Sequence, residues 1–378
     1  MPGRQAVGSA LLGLLLAGCA AKGLDPSPLP VFRPAVDARV AWKASAGVSS
    51  GYMFSPVRFQ GMVCAAAGDG RLTCYDGSRG GRLWSASEDV ASSGGVGAGE
   101  NMLLVGTAKG EVLAYEANGN LLWRSRVSSE VLSAPTASGS MVVVRAGDSK
   151  IFGLDSRDGR RIWEYQSPPQ SLILRATPGM VIVDDDTAMI SGFPGGKLTK
   201  LDLRDGSLLW DIAVATPRGN NELERMTDVA GTPLLEEGMV CAVAFQGRIG
   251  CYDTDKGEQI WARSASSAGN IVADAQSVYY TEADGVLVAY DKNTGASVWR
   301  QEKLLYRRVS SPIVVGDWLV VGDYQGYVHV LSRSDGAFVA RVATDGSAIV
   351  TSPLLLGERV VVQTERGGLF AISFKPRS

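Results

Sequence analysis

The chain has 378 residues, 45% of them hydrophobic, and its 37 basic residues nearly balance 39 acidic ones. The resulting net charge of -2 provides no positive field for a polyphosphate backbone and argues against nucleic-acid binding. The single histidine, His329, argues against triad hydrolysis and zinc hydrolysis, because histidine is the usual general base and a common metal ligand near neutral pH.

Residues 1–18 have the pattern of a lipoprotein signal peptide. Arg4 precedes an apolar run at residues 10–19, which is shorter than the roughly 20 residues of a membrane-spanning helix. The run ends in Leu16-Ala17-Gly18-Cys19, which resembles the bacterial lipobox, where the cysteine is acylated before cleavage. We therefore predict lipidation of Cys19; an ordinary signal peptide with a chance cysteine is the alternative. Because Ala20 is not aspartate, the resemblance implies sorting to the outer membrane.

The segment of residues 19–37 is predicted to be a lipidated tether. It carries prolines at positions 26, 28, 30 and 34. Proline at this density keeps a segment extended and without strand pairing. The folded domain is therefore expected to span residues 38–378.

Beyond the tether, a tryptophan recurs every 38 to 51 residues, at positions 42, 84, 123, 163, 210, 261 and 299. Six of them follow a glycine by four residues, as in Gly80 and Trp84, and a seventh such phrase, with Gly336, reaches Ala340 instead. Each phrase follows two apolar runs joined by a short glycine-containing turn, which is typical of a β-hairpin. Four short strands per period of about 40 residues indicate a β-propeller blade, with the tryptophans packed between blades.

Eight hairpin units can be counted, and the use of the chain ends predicts how the ring closes. The units begin near Ser55, Gly94, Ala134, Thr177, Thr232, Gly269, Ser311 and Ser352. The last unit stops at Ser373 without a tryptophan strand, whereas the first tryptophan strand, at residues 40–43, has no hairpin before it. Pairing these two removes an exposed sheet edge. We therefore predict an all-β protein, an eight-bladed β-propeller closed by pairing of its N- and C-terminal strands.

Four of the cysteines form two pairs with the same spacing. Cys64 and Cys74 are ten residues apart, as are Cys241 and Cys251, in similar hairpin phrases. Each pair is expected to face across its hairpin, where Cα atoms lie about 4.5–5.5 Å apart, within disulfide range. Cysteine as a small apolar filler is the alternative. In an exported chain we predict two disulfides, which leaves Cys19 for the lipid.

Groupings that would support catalysis or metal binding are scarce. His329 lies in an apolar strand phrase and is interpreted as a structural histidine. Asp184-Asp185-Asp186 lies at a hairpin turn and lacks the alternating spacing of a calcium loop, so it is interpreted as a solvated turn. We therefore predict no catalytic residue, no metal and no cofactor.

Two connectors between blades depart from the repeat. The distance from tryptophan to the proline of the next blade is 23 residues from Trp210 to Pro233, against 12 to 14 in three other connectors. The connector before it contains Ser171-Leu172-Ile173-Leu174-Arg175, and the longer one carries Arg225 and Asp228. Neighbouring connectors should lie side by side on one rim, where apolar anchors beside charges favour a docking patch. A local cluster tucked under the ring is the alternative.

Over essentially its whole length the chain resembles the BamB family, the lipoprotein subunits of the bacterial outer-membrane β-barrel assembly machine. The lipobox, the proline-rich tether, the eight blades and the two unusual connectors carry this resemblance. It implies that Leu172, Leu174, Arg175 and Asp228 contact the partner, and Arg225 is included from the same charged loop. One departure is Ala230, where the family tends to have aspartate.

The resemblance implies a non-enzymatic scaffold, lipid-anchored to the periplasmic face of the outer membrane. Its implied partners are the POTRA domains of the central barrel subunit, BamA, other subunits of the machine and nascent barrel chains. The main alternative is a quinone-dependent dehydrogenase, whose blades are similar. Such enzymes are usually longer and place two consecutive cysteines over the central channel, and no consecutive cysteines occur here. A periplasmic glycan-binding propeller is a third alternative.

Overall fold

A computed structural model describes residues 24–377, and these form a ring of eight four-stranded antiparallel sheets. The N-terminal strand is β1 (Val36–Ser45). Blades 1 and 2 contain β2 (Val57–Phe59), β3 (Met62–Ala66), β4 (Arg71–Asp76), β5 (Arg82–Ser87), β6 (Ser92–Ala98), β7 (Leu103–Thr107), β8 (Glu111–Tyr115) and β9 (Leu121–Arg126). Blades 3 and 4 contain β10 (Thr136–Ser138), β11 (Met141–Arg145), β12 (Lys150–Asp155), β13 (Arg161–Gln166), β14 (Met180–Val183), β15 (Ala188–Phe193), β16 (Lys197–Asp202) and β17 (Leu208–Ala213).

The second half of the ring repeats the same plan. After the single helix of the described residues, α1 (Glu222–Arg225), blades 5 and 6 contain β18 (Leu234–Glu236), β19 (Met239–Val243), β20 (Gly247–Asp253), β21 (Gln259–Ala265), β22 (Val272–Ala273), β23 (Ser277–Thr281), β24 (Leu287–Asp291) and β25 (Ser297–Gln301). Blades 7 and 8 contain β26 (Ile313–Val315), β27 (Trp318–Gly322), β28 (Tyr327–Ser332), β29 (Phe338–Ala343), β30 (Leu354–Leu356), β31 (Arg359–Gln363) and β32 (Gly368–Pro376).

The ring closes as the sequence predicts. β1 pairs antiparallel with β32, from Val36 opposite Pro376 to Ser45 opposite Gly368, and becomes the outermost strand of blade 8. The eighth sheet therefore has the order β1-β32-β31-β30, built from both ends of the described chain. Closure leaves no blade without its fourth strand.

The apolar pattern of each strand follows its place in the blade. Middle strands such as β7 and β11 are buried along their whole length, because neighbouring blades cover both of their faces. The outermost strands alternate instead: in β9, Leu122 is exposed and Trp123 is buried. First strands of neighbouring blades contact one another, which places them around the central axis.

Each repeated tryptophan joins its blade to the next one. The Trp42 indole N–H donates to the carbonyl of Gly77 at 3.0 Å, and Gly80 lies on the indole face, where an added Cβ would be 2.7 Å from ring atoms. The same N–H to carbonyl bond recurs for the other six, with acceptors Ala117, Ser156, Leu203, Thr254, Lys292 and Arg333. The glycine-to-tryptophan phrase thus receives one indole and offers another, which confirms the predicted packing.

The junction between blades 7 and 8 is built differently. Ala340 occupies the place of the missing tryptophan and is buried. The eighth tryptophan, Trp318 of β27, instead lies against Phe374 of β32, with ring centroids 6.0 Å apart. β1 also contacts β29 directly.

Both predicted disulfides are present. Cys64 pairs with Cys74 across β3 and β4, and Cys241 pairs with Cys251 across β19 and β20. The Cα atoms are 4.1 and 4.0 Å apart, and all four residues are fully buried. Each bridge links directly opposed residues, as the hairpin spacing predicts.

Residues 24–35 contain no strand, but they are not detached from the ring. The Arg307 side chain donates to the carbonyl of Ser27 at 2.9 Å, and Arg341 donates to the carbonyl of Pro30 at 3.1 Å. Pro30 is buried. The described part of the predicted tether therefore lies against blades 6 and 7, and the division into signal peptide, tether and propeller stays a prediction.

The single histidine belongs to the buried cluster beneath this segment. His329 Nε2 lies 2.9 Å from Asp323 Oδ2, which also accepts from Arg307 Nε and Nη2 at 2.9 and 2.7 Å. The imidazole meets the Phe338 ring edge-on at 5.9 Å, and Phe338 stacks on Phe32. Burial lowers the pKa of His329 despite the hydrogen bond to Asp323, so the ring is neutral near pH 7. Its surroundings are those of a structural histidine.

Candidate docking surface

The two longest connectors of the described chain are neighbours in the ring. The first long connector, residues 167–179, joins β13 to β14 and has 13 residues; the second long connector, residues 214–233, joins β17 to β18 and has 20. The other blade-to-blade connectors have 4 to 11 residues. The two long connectors therefore add surface on one rim, above blades 3 to 5.

The second long connector is shaped by a one-turn helix that the sequence reading missed. Asn221 caps α1, and its side chain accepts from the Glu224 amide at 2.9 Å. Glu224 in turn accepts from the Asn220 amide at 2.7 Å, and Arg225 Nε donates to the Gly219 carbonyl at 3.0 Å. An asparagine followed three residues later by glutamate is a capping-box signal that would have revealed the turn.

The helix presents one apolar side chain outward. Leu223 is 67% exposed, and α1 contains no buried residue. Arg225, a predicted contact, is also exposed although its Nε is held by the loop. The capped turn thus fixes Leu223 and Arg225 on the surface of the second long connector, where they are available to a partner.

Asp228 ties the two long connectors together. Its carboxylate accepts from the Leu174 amide at 2.6 Å and from the Gly195 amide at 3.1 Å. It is 3% exposed. Burial raises its pKa, although the two backbone N–H groups favour the charged form. The structure thus places Asp228 beneath the predicted patch rather than on it, so its own position gives it a positioning role.

The apolar run of the first long connector reaches the surface. Leu172 and Ile173 are 39% and 36% exposed, and Leu174 is half-buried above Asp228. This disagrees with the alternative of a run tucked under the ring. The amide of Leu174 is held by Asp228, so the exposed side chains beside it are presented in a fixed conformation.

Arg175 completes this edge of the patch. Its guanidinium is exposed, forms an ion pair with Glu130 at 2.8 Å and lies over the Tyr52 ring, 5.5 Å from its centroid. The Glu130 carboxylate raises the pKa of Arg175 further above its ordinary value. Leu172, Leu174 and Arg175 are therefore brought together as predicted, with Asp228 below them and Arg225 on the adjacent connector.

A cavity of about 230 Å³ opens between the long connectors. Its walls include Leu174, Arg175, Glu130 and Asp228, and its floor includes Arg145 from β11. Nothing in the sequence of blade 3 singled out Arg145, because its burial depends on packing against blade 4.

The remaining predicted sites have simple surroundings or lie outside the described residues. Asp184, Asp185 and Asp186 all adopt left-handed backbone conformations in a turn, and Asp184 pairs with Lys200. Within residues 24–377 no grouping of three or more His, Cys, Asp or Glu could hold a metal ion. No helix of that part of the chain has the length and apolar character needed to cross a membrane. Cys19 lies outside the described residues.

Comparison with known proteins gives a consistent family match. The model of the family described as outer membrane protein assembly factor BamB matches residues 68–301 and 283–376. A relative of that name from Nitrosomonas eutropha is 44% identical over 335 residues, covering 88% of this chain and 81% of the relative. One from Bordetella pertussis is 39% identical and covers 98% of both chains.

Solved structures show the same architecture. BamB from Moraxella catarrhalis superposes with a TM-score of 0.82 at 24% identity, covering 89% of this chain and all of that one. A quinohemoprotein alcohol dehydrogenase from Comamonas testosteroni gives a TM-score of 0.70 at 13% identity, covering 89% of this chain and 76% of that one. At these identities the likeness concerns the fold alone.

Proposed function

The chain belongs to the family of outer membrane protein assembly factor BamB, and from that premise we propose that it is a non-enzymatic scaffold that docks on the POTRA domains of BamA. In this role it supports the folding and insertion of β-barrel proteins in the outer membrane. Other subunits of the machine and nascent barrel chains are the further partners proposed.

The observation that carries the proposal is the paired surface of the two long connectors. Leu172, Ile173 and Leu223 are exposed apolar side chains, and Arg175 supplies a charge beside them. Asp228 locks the two connectors in place through backbone N–H groups, so little conformational freedom remains to be lost on binding. Apolar anchors with a charged neighbour on a rigid support are the usual composition of an interface centre.

We also propose that Cys19 carries the lipid that anchors the protein at the periplasmic face of the outer membrane. The described chain begins at residue 24, and Ser27 is already held by Arg307 at the connector between blades 6 and 7. That connector emerges on the same rim as the long connectors. A short link to the membrane would raise the effective concentration of the docking surface near its partner, so a modest interface would suffice.

The proposal is tested by the affinity for the purified, soluble POTRA domains. The double variant Leu172→Ala/Arg175→Ala should bind them at least about tenfold more weakly, because it removes an apolar anchor and a charge from the surface centre. The matched control is Arg82→Ala/Leu83→Ala, an exposed arginine and leucine on the outermost strand of blade 1. Equal affinities of wild type and the Leu172/Arg175 variant, with unchanged folding, would reject the docking assignment.

A further inference from the structure

Arg145 is a buried cation on the floor of the cavity between the long connectors. It ends β11 in blade 3, is 6% exposed and reaches into blade 4. There its Nη1 donates to Ser191 Oγ at 3.1 Å and to the Gly192 carbonyl, and its guanidinium lies 4.4 Å from the centroid of the Phe193 ring. One side of the guanidinium is thus fixed by blade 4.

The other side of the guanidinium has no partner. Among residues 24–377, no carboxylate oxygen lies within 4.0 Å of Arg145, and Nε and Nη2 donate no hydrogen bond. Burial lowers the pKa of Arg145 to about 10, while the nearby Asp228 charge opposes this, so the group is a cation at neutral pH. A buried charge without a close counter-ion is costly, and natural proteins rarely leave one in place.

The two acidic groups of the cavity are engaged elsewhere. Both oxygens of Asp228 accept backbone N–H groups, from Leu174 and Gly195. The Glu130 carboxylate pairs with Arg175. Arg145 is therefore the charged group of this cavity whose donors remain free, and they form the Nε–Nη2 edge that accepts a carboxylate in the bidentate manner.

We propose that Arg145 is a specificity-determining residue of the docking surface, which binds an aspartate or glutamate side chain that the partner inserts between the two long connectors. This inference rests on the proposed function and names the chemistry of the partner contact. The cavity volume of about 230 Å³ accommodates such a side chain. The entering carboxylate would also lie near Arg175 at the cavity wall.

The buried position explains why this contact would select the partner. A charged pair on the exposed rim changes affinity little, because water screens both members. In the cavity, Arg145 has already lost most of its water, so a partner without an acid at this point would leave the cation uncompensated. Apolar anchors on Leu172 and Leu223 would give affinity, and Arg145 would discriminate between surfaces of similar shape.

A double-mutant cycle with the soluble POTRA domains tests the proposal. Arg145→Gln should bind at least about tenfold more weakly than wild type, Arg145→Lys should lie between them, and Arg161→Gln, an exposed arginine of the same blade, is the matched control. Each acidic residue of the POTRA domains is changed in turn to its amide. One of these changes should weaken binding to the wild type and have no further effect on Arg145→Gln. Additive effects at every acidic position would overturn the proposal.

Two further observations keep the outcome unambiguous. If wild type does not bind the POTRA domains at all, the proposed function fails, whereas binding that Arg145→Gln leaves unchanged rejects only the role of Arg145. If Arg145→Gln does not fold, the wild-type protein labelled with 15N-arginine replaces it. The Nε–H of Arg145 should then be protected from solvent exchange when the POTRA domains are saturating, and unaltered exchange would contradict the proposal.

Discussion

The ring contains two buried arginines at the rim of the long connectors, and they differ in what surrounds them. Arg307, between blades 6 and 7, donates twice to a fully buried carboxylate, Asp323, and once to the N-terminal segment. Arg145, in blade 3, has only Ser191, Gly192 and the Phe193 ring on one side and no counter-ion within 4.0 Å among residues 24–377. The first arginine is a completed structural contact, and the second retains donors for a partner.

The difference teaches how two regions of one repeat fold have diverged. Where blades 6 to 8 meet, the polar groups are used within the chain, and they fasten the ring and its N-terminal segment. Where blades 3 to 5 meet, the longer connectors create a cavity whose cation is not compensated. We therefore expect substitutions in the first region to change stability, and those in the second region to change binding.

Removing the carboxylate of the paired arginine should have the largest effect. Asp323→Ala leaves Arg307 buried without a counter-ion, so the free energy of unfolding should fall by about 3–5 kcal/mol. Chemical denaturation monitored by tryptophan fluorescence measures this. A loss below about 1 kcal/mol would mean that the cluster is not a structural centre.

Acid should weaken the same region. The pKa of His329 is lowered by burial, and that of Asp323 is lowered by its hydrogen bond from His329, which outweighs the opposing effect of burial. Both groups take up protons more readily in the unfolded chain, so their contribution is complete above about pH 6.5 and is lost as the pH falls. The expected slope is up to about 1.4 kcal/mol per pH unit for the histidine.

The histidine contribution is isolated by comparison with His329→Gln, which keeps a hydrogen-bond donor for Asp323 but does not titrate. The stability advantage of wild type over this variant should shrink between pH 7 and pH 5. An advantage that stays constant or grows over this range would show that His329 does not act as described.

Release of the N-terminal segment should be a smaller effect. Phe32 stacks on Phe338 at 5.7 Å, and Arg341 lies over the Phe32 ring. Phe32→Ala should therefore increase amide hydrogen exchange in residues 24–35 by roughly tenfold, which corresponds to about 1.4 kcal/mol. Val31→Ala is the matched control, because Val31 is 98% exposed. Equal exchange in both variants would mean that the segment is not held by this contact.

The smallest stability change is expected at the unpaired arginine. Arg145→Met keeps an unbranched side chain against Phe193 and removes a charge that has no close counter-ion. The free energy of unfolding should change by about 1 kcal/mol or less, in contrast to Asp323→Ala. A loss as large as that of Asp323→Ala would erase the distinction between the two regions.

Much of the fold follows from short-range pattern. The tryptophan and glycine spacing predicts eight blades and the packing between them, and the cysteine spacing predicts two disulfides, because both depend on hairpin geometry within one blade or at its edge. The closing strand pair is predictable because an unused strand remains at each end.

The docking surface was only partly predictable. The two connectors are recognisable by their lengths and by the run at Leu172 to Arg175, but the places of Asp228 and Arg145 depend on contacts between residues 33 to 54 positions apart. The docking of Ser27 onto Arg307 joins residues 280 positions apart, and the proline content of the segment predicts only its extended form. Such contacts depend on how blades are juxtaposed, which local pattern does not encode.

The central claim is that the two long connectors form the surface on which the POTRA domains dock. Hydrogen exchange of the full protein with and without saturating soluble POTRA domains tests it most directly. The account predicts new protection at residues 171–175 and 219–226, and none at the turn of residues 184–187. Protection confined to other parts of the ring, with both connectors exchanging as in the free protein, would contradict it.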